Sequence, residues 1–451
     1  MHNAKQRVIT LLLTAAGLVF AGMASRQPVV LSLALPLLVY LGAALLLSPR
    51  KLELSARRDL VVLNAQGDEQ AAPPQDERRG EWVIPPHGTV RATYTAANNG
   101  SAMLELHLAD LRLRRSVTLP AGTETQWTSS FQLRRGRHRL EDLQVEASDP
   151  FGLFPERAGL SVPTLGSAQG WLLVLPETLP LGSSSSQRVP LRPPRLSGFA
   201  GPVAARQPGS GTDFYGVREF QPGDDPRHVN WRLSSRAEQA LFTNQYEGER
   251  YADVGLIVDA RRSRNLISPQ GELFEYSVLA AASIGKALLR DGHRLSLLVY
   301  GFGMERLLPG SGRMQTERML RTLATAKTYH HYALESLNYL PTRLFPARSQ
   351  IIFFSPLNED DFSPLTRFRS QGYEVLVIAP DPLSFEVGSL ARQGLQDGLD
   401  EALRLARVER SLLLRRLERY GIWVVNWQVD QPLYQALQIG LAPLRQPRRN
   451  I

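Results

Sequence analysis

GSGTDFYGVREFQPGDDPRHVNWRLSSR, residues 209–236, is the stretch on which the reading of this chain turns. Nowhere else are Gly, Pro, Asp, Arg and aromatic residues so dense. Its glycines admit backbone angles closed to other residues, and Pro222-Gly223-Asp224-Asp225-Pro226 reads as a tight turn. Asp224, Asp225, Arg227, Arg232 and Arg236 set both signs of charge close together. Two uses fit such a segment. In the structural one, Asp224 or Asp225 pairs with Arg227 or Arg232, and Trp231 packs beneath them. In the functional one, Arg218, Glu219, Asp224, Asp225, Arg227, Trp231 and Arg236 form a docking surface for a partner. The structural use is the expectation, because stapled Gly/Pro-rich segments more often fix loops than bind partners.

Downstream of this segment, strand and helix patterns alternate. Strands are predicted over 254–258, 295–300, 351–354, 375–378 and 423–427, and helices over 273–290, 313–326 and 399–420. The alternation predicts a Rossmann-like α/β domain over 251–451, a parallel sheet with helices on both faces. The last helix is expected to cover the sheet, with Leu403, Leu413 and Leu417 inward and Arg407, Arg410 and Arg415 outward.

Upstream, residues 183–195 hold a serine run followed by Pro-Leu-Arg-Pro-Pro-Arg, so 179–208 reads as a basic, semi-extended linker. Residues 50–178 alternate short β-like runs with turn signals such as Asn98-Asn99-Gly100, the pattern of a small β-sandwich. Two apolar runs, 8–24 and 28–48, open the chain, each near the ~20 residues of a bilayer-crossing helix. They predict a transmembrane hairpin over 1–49. Basic residues flank both outer ends, which predicts a multi-pass membrane protein with its domains in the cytoplasm. A cleaved signal peptide ending at Gly22-Met23-Ala24 is the competing reading.

Composition sets further bounds. The 451 residues exceed one ordinary core. There is no cysteine, which excludes disulfides, thiol catalysis and Cys-ligated zinc. The net charge of +9 is carried almost wholly by Arg and suits an acidic partner or an anionic surface. Neither H-E-x-x-H nor G-x-S-x-G occurs. The Arg-rich patches at 112–115 and 134–139 lack a nucleic-acid fold context, so no nucleic-acid partner is expected.

The order Gly-x-x-Phe-x-Gly-x-Arg-Glu-Phe-x-Pro-Gly-Asp-Asp-x-Arg-x-Val-Asn-Trp-Arg, residues 211–232, resembles the signature of a bacterial family known as domain of unknown function 58. Arg134-Arg135-Gly136-Arg137-His138 and Asp149-Pro150-Phe151-Gly152-Leu153-Phe154 agree with it. Ser235 departs from the Ala usual before Arg236. The resemblance implies a protein anchored in the bacterial inner membrane and ending in a von Willebrand factor A-like domain. It also implies two partners, a MoxR-type AAA+ ATPase and a transglutaminase-like membrane protein.

A metal-binding von Willebrand A domain ends its first strand in Asp-x-Ser-x-Ser, hard oxygen ligands suited to Mg²⁺. Here the strand ends Asp259-Ala260-Arg261-Arg262-Ser263, with Arg261 in a ligand position. Ser355-Pro356 stands where Ser-Asp is expected, with Asp360 and Asp361 further on, and Thr316 is the nearest candidate threonine. Asp259 and Ser263 therefore read as a degenerate remnant, and no cofactor is expected. Arg261, Arg262 and Arg264 either attract a partner's anions or are spent internally, Arg261 on Asp259 and the others in solvent. The expected function is a non-enzymatic adaptor or scaffold in assembly or maturation of envelope complexes. A Mg-dependent protein-binding domain and an envelope-metabolism enzyme are the alternatives.

Overall fold

The computed structural model describes residues 2–47, 53–63, 75–76, 81–100, 103–110, 113–139, 143–148, 160–162, 171–181, 200–237, 240–250, 252–269, 271–301, 304–329, 344–347, 349–394 and 400–442. Most of the linker read at 179–208, and Asp149–Phe154 of the family pattern, lie outside the described residues. The chain divides into two compact units, Met1–Val174 and Leu175–Ile451.

The first unit opens with two helices, His2–Ser25 and Pro28–Leu47. They meet through Ala15, Leu41 and Ala44, the two alanines allowing close approach. The expectation of a transmembrane hairpin is corrected here: among the described residues, no helix is long and apolar enough to cross a membrane. The multi-pass inner-membrane location with cytoplasmic domains falls with it. The chain is described instead as a mixed α/β protein.

The rest of this unit is built of short strands. Leu54–Leu63, Thr89–Asn98 and Glu124–Gln132 form an antiparallel sheet whose middle strand alternates buried and half-buried residues along its length. Its Ala92, Tyr94 and Trp127 pack with Leu106 and Leu119 of a second sheet. Its Val62 and Val90 pack with Ile84, Leu172 and Val174 of a third. Tyr94 and Trp127 stack at 5.7 Å between ring centroids. One arginine of the 134–139 run is engaged internally: Arg137 lies over the Trp171 ring and pairs with Glu81 at 2.7 Å.

The second unit is organised by a six-stranded sheet. Its order is Met304–Gly310, Arg294–Tyr300, Asp253–Asp259, Gln350–Phe354, Glu374–Pro380, Trp423–Trp427. All neighbours are parallel except the edge strand Met304–Gly310. The strands are nearly continuous apolar runs because both faces are covered. Leu256, Val258, Leu297, Phe354 and Ile378 face the helices Leu273–Arg290, Gly312–Thr325 and Leu433–Gly440. Ile257, Leu298, Phe353 and Val377 face Phe362–Ser370 and Asp400–Arg419. The predicted strands and helices are present. The pattern missed the edge strand and the short helices Phe362–Ser370, Pro382–Arg392 and Leu433–Gly440. One helix face is corrected. Arg410, expected outward, points to the sheet, where it pairs with Asp381 at 2.9 Å and donates to the Pro356 carbonyl and Asn426.

Candidate functional site

The central strand Asp253–Asp259 delivers Asp259 to the carboxyl end of the sheet, fully buried. In open α/β sheets this end is where ligands bind. Here a side chain of the protein itself occupies it. Arg261 is only 8% exposed. Its Nε donates to Asp259 Oδ1 at 2.8 Å, and its Nη2 to Asp259 Oδ2 at 2.7 Å and to Asp361 Oδ1 at 2.5 Å. The Arg261 backbone N–H donates to Asp259 Oδ1 as well. The Ser355 hydroxyl donates to Asp259 Oδ2 at 2.7 Å, and the Asn358 N–H to Asp361 Oδ2 at 3.0 Å. The Tyr300 ring lies 5.5 Å from the guanidinium carbon. A planar cation with five donors thus meets two carboxylates that also accept from Ser355 and from backbone N–H groups.

The loop after Phe354 is shaped to bring Asp361 in. Leu357 takes φ +63°, an uncommon angle for a non-glycine residue, and its N–H donates to Ser355 Oγ. Asn358 and Asp361 then cap the turn Glu359–Asp361 reciprocally. On the other side, Asn265 Nδ2 donates to the carbonyls of Asp259 and Arg261. The Arg262 N–H donates to the Tyr329 carbonyl, and the Tyr329 N–H to Ala260. Three loops, 260–265, 326–329 and 355–361, therefore converge on one buried ionic cluster.

Electrostatics follow from the count of charges, two carboxylates against one guanidinium. Burial pushes the Asp361 carboxyl above its ordinary range, against the pull of Arg261, and the neighbouring Asp259 adds to the rise. Burial works against the Arg261 charge, but the hydrogen bonds and charges of Asp259 and Asp361 outweigh it and hold the guanidinium ionised.

The expected site residues separate accordingly. Arg261 is enclosed and does not face a partner. Arg264 pairs with Asp360 at 2.5 Å, and Arg262 approaches Thr328 and Glu272. Ser263 is exposed, and Thr316 donates to the Gly312 carbonyl of its own helix. Asp361 and Ser355 were missed as site residues. The signal available was the capping pattern Asn358-x-x-Asp361, which turns the second acid inward.

The signature segment lies elsewhere in this unit. Ala200–Glu219 and Phe242–Arg250 form a two-stranded antiparallel arm. Arg218 forks onto both Asp224 oxygens, and the Gln221 N–H donates to the same carboxylate, which these bonds hold below the usual carboxyl range. Gly223 supplies φ +106° for the turn. Asp225 caps the next turn through Arg227 N–H, and Asn230 caps Trp231–Ser234 through Leu233 N–H. The Phe242 N–H donates to Ser234 Oγ. The stapling is as expected, but its partners differ: Asp224 takes Arg218, not Arg227 or Arg232. Trp231 does not pack beneath them, being 68% exposed. Phe214, Tyr215, Leu233 and Leu241 are exposed beside it in sequence, and among the described side chains neither large core of this unit includes one from 200–250.

With this geometry in hand, the comparisons place the chain. Residues 216–413 match the family described as "Protein of unknown function DUF58". The chain is 33% identical over 247 residues, 50% of its own length and 77% of the relative, to the uncharacterized protein Rv1480 of Mycobacterium tuberculosis (strain ATCC 25618 / H37Rv). It is 27% identical over 241 residues, 52% of its length and 54% of the relative, to the uncharacterized protein YeaD of Bacillus subtilis (strain 168). The chain belongs to the DUF58 family.

Two outcomes are expected of the cluster. Arg261→Met leaves Asp259 and Asp361 buried without their cation and should cost about 3–5 kcal/mol in urea unfolding; an unchanged midpoint would refute the enclosed ion pair. Asp361 binds its proton more tightly folded than unfolded, so its contribution is fully present below the unfolded value and is lost as pH rises through the folded one. Asp361→Asn lacks this titration. Its melting temperature should therefore rise relative to wild type as the pH climbs above the ordinary carboxyl value of about 4. A flat or falling difference contradicts the assignment.

Proposed function

We propose that this DUF58 protein is a non-enzymatic adaptor, with a von Willebrand A-like domain that needs no Mg²⁺ and an arm that docks a partner. The observation that carries the reading is the exposure of Trp231 on a segment stapled by Arg218–Asp224, Asn230 and Ser234. Ordering an arm and presenting an aromatic outward is how a binding anchor is prepared, since Trp, Tyr and Arg dominate interface energetics. Arg227, Arg232 and Arg236 surround the anchor in sequence and suit an acidic rim on the partner. The enclosed Arg261 supports the second half of the reading. Asp259 and Asp361, oxygens of the kind a divalent cation would take, already hold a cation of the chain. The family resemblance supplies the partner class, a MoxR-type AAA+ ATPase.

The test is a binding titration between the purified chain and a MoxR-type ATPase of the same genome. Trp231→Ala and Arg232→Glu should each weaken the complex at least tenfold. Trp231 is exposed, so its truncation should change stability by no more than ~0.5 kcal/mol. Unaltered affinity in both variants would refute the docking role of the arm.

A further inference from the structure

The helix Asp400–Arg419 is held to the sheet by one side. Leu417 is fully buried, Leu413 and Leu414 lie against the same core, and Arg410 reaches Asp381. Arg416 lies over the Phe362 ring at 4.0 Å. The opposite side carries Leu405, Val408 and Leu412, exposed by 62%, 54% and 58%. Spacings of three and four put these side chains on one line. Continued at the same spacings, the line takes in Glu401 before them and Arg415 and Arg419 after them, all exposed. Glu401, Leu405, Val408, Leu412, Arg415 and Arg419 thus follow the alternating four-three spacing of a coiled-coil seam. Its middle is apolar, one end is acidic and the other basic.

That charge order selects the occupant. A second copy of this helix, running antiparallel, sets Glu401 of each chain opposite Arg415 and Arg419 of the other and packs the apolar middles together. A parallel copy sets like charge on like. The antiparallel arrangement also opposes the two helix dipoles, and its two-fold symmetry closes after two chains. We infer that this protein self-associates through the helix Asp400–Arg419 as an antiparallel two-fold pair. The seam is short, so the association belongs to the weak, transient class. It involves neither the arm nor the Arg261 cluster and does not rest on the adaptor reading.

Sedimentation velocity of the full chain across the micromolar range tests it. The mass should rise with concentration toward that of two chains, and Leu405→Asp combined with Leu412→Asp should hold it at one chain with the circular dichroism unchanged. The absence of cysteine allows a direct reading of direction. Glu401→Cys and Arg419→Cys chains, mixed and treated with a short bis-maleimide, should yield linked pairs, while either variant alone should not. Three results overturn the inference: a single-chain mass at every concentration, association that survives the double Asp variant, or single variants that link as readily as the mixture.

Discussion

A guanidinium taken out of water must place its charge and its N–H groups on acceptors, or the burial is prohibitive. Arg261 meets that requirement with Asp259 and Asp361, residues about a hundred positions apart in sequence, in the 259–261 strand end and the 355–361 loop. The constraint runs both ways. Two carboxylates this close are costly without a cation between them. Each loop that supplies one member is fixed by the others: Ser355 and the Leu357 backbone on one side, Asn265 on the other. The top of the sheet is thereby set in one arrangement. A buried ion pair of this kind is a poor source of net stability but a costly thing to break, which suits a device that specifies loop geometry.

The arm obeys a different logic. Its fixed points are local: a forked Arg218–Asp224 pair, two side-chain caps and one hydroxyl bridge. Such bonds order a loop around little buried apolar surface, chiefly Val229, so Phe214, Tyr215 and Trp231 are left outside. An exposed Trp on a pre-ordered turn loses little freedom on docking. The enclosed Arg261 and the exposed Trp231 therefore divide the work. One holds the sheet end in shape, and the other supports the adaptor reading.

The α/β sheet was legible because its strands are buried on both faces and read as unbroken apolar runs between amphipathic helices. The edge strand Met304–Gly310 was not, since Arg306 and Pro309 interrupt its apolar pattern. Arg410 was misread because helical spacing assigns an Arg to water, and only the fold brings Asp381 beneath it. The Asp259–Arg261 pair lay open to reading as neighbours on one strand end. Asp361 was harder to read: the Asn358-x-x-Asp361 cap marks an inward acid, but its reach to Arg261 depends on a left-handed Leu357 that sequence spacing does not announce. Trp231 was expected beneath the segment's ion pairs because stapled Gly/Pro-rich stretches more often fix loops, whereas local hydrogen bonds order the segment and leave Trp231 exposed. The N-terminal apolar runs gave helices, but none among the described residues meets the length and apolarity of a membrane span.

The most direct measure of the central claim is hydrogen exchange on wild type and Arg261→Lys, followed in peptides spanning 259–265 and 355–361. A lysine keeps the charge but cannot fork onto two carboxylates. The account predicts that both peptides lose protection together while 433–440 stays as protected as in wild type. Loss confined to 259–265, or no loss in either, would contradict the claim that one guanidinium ties the two loops.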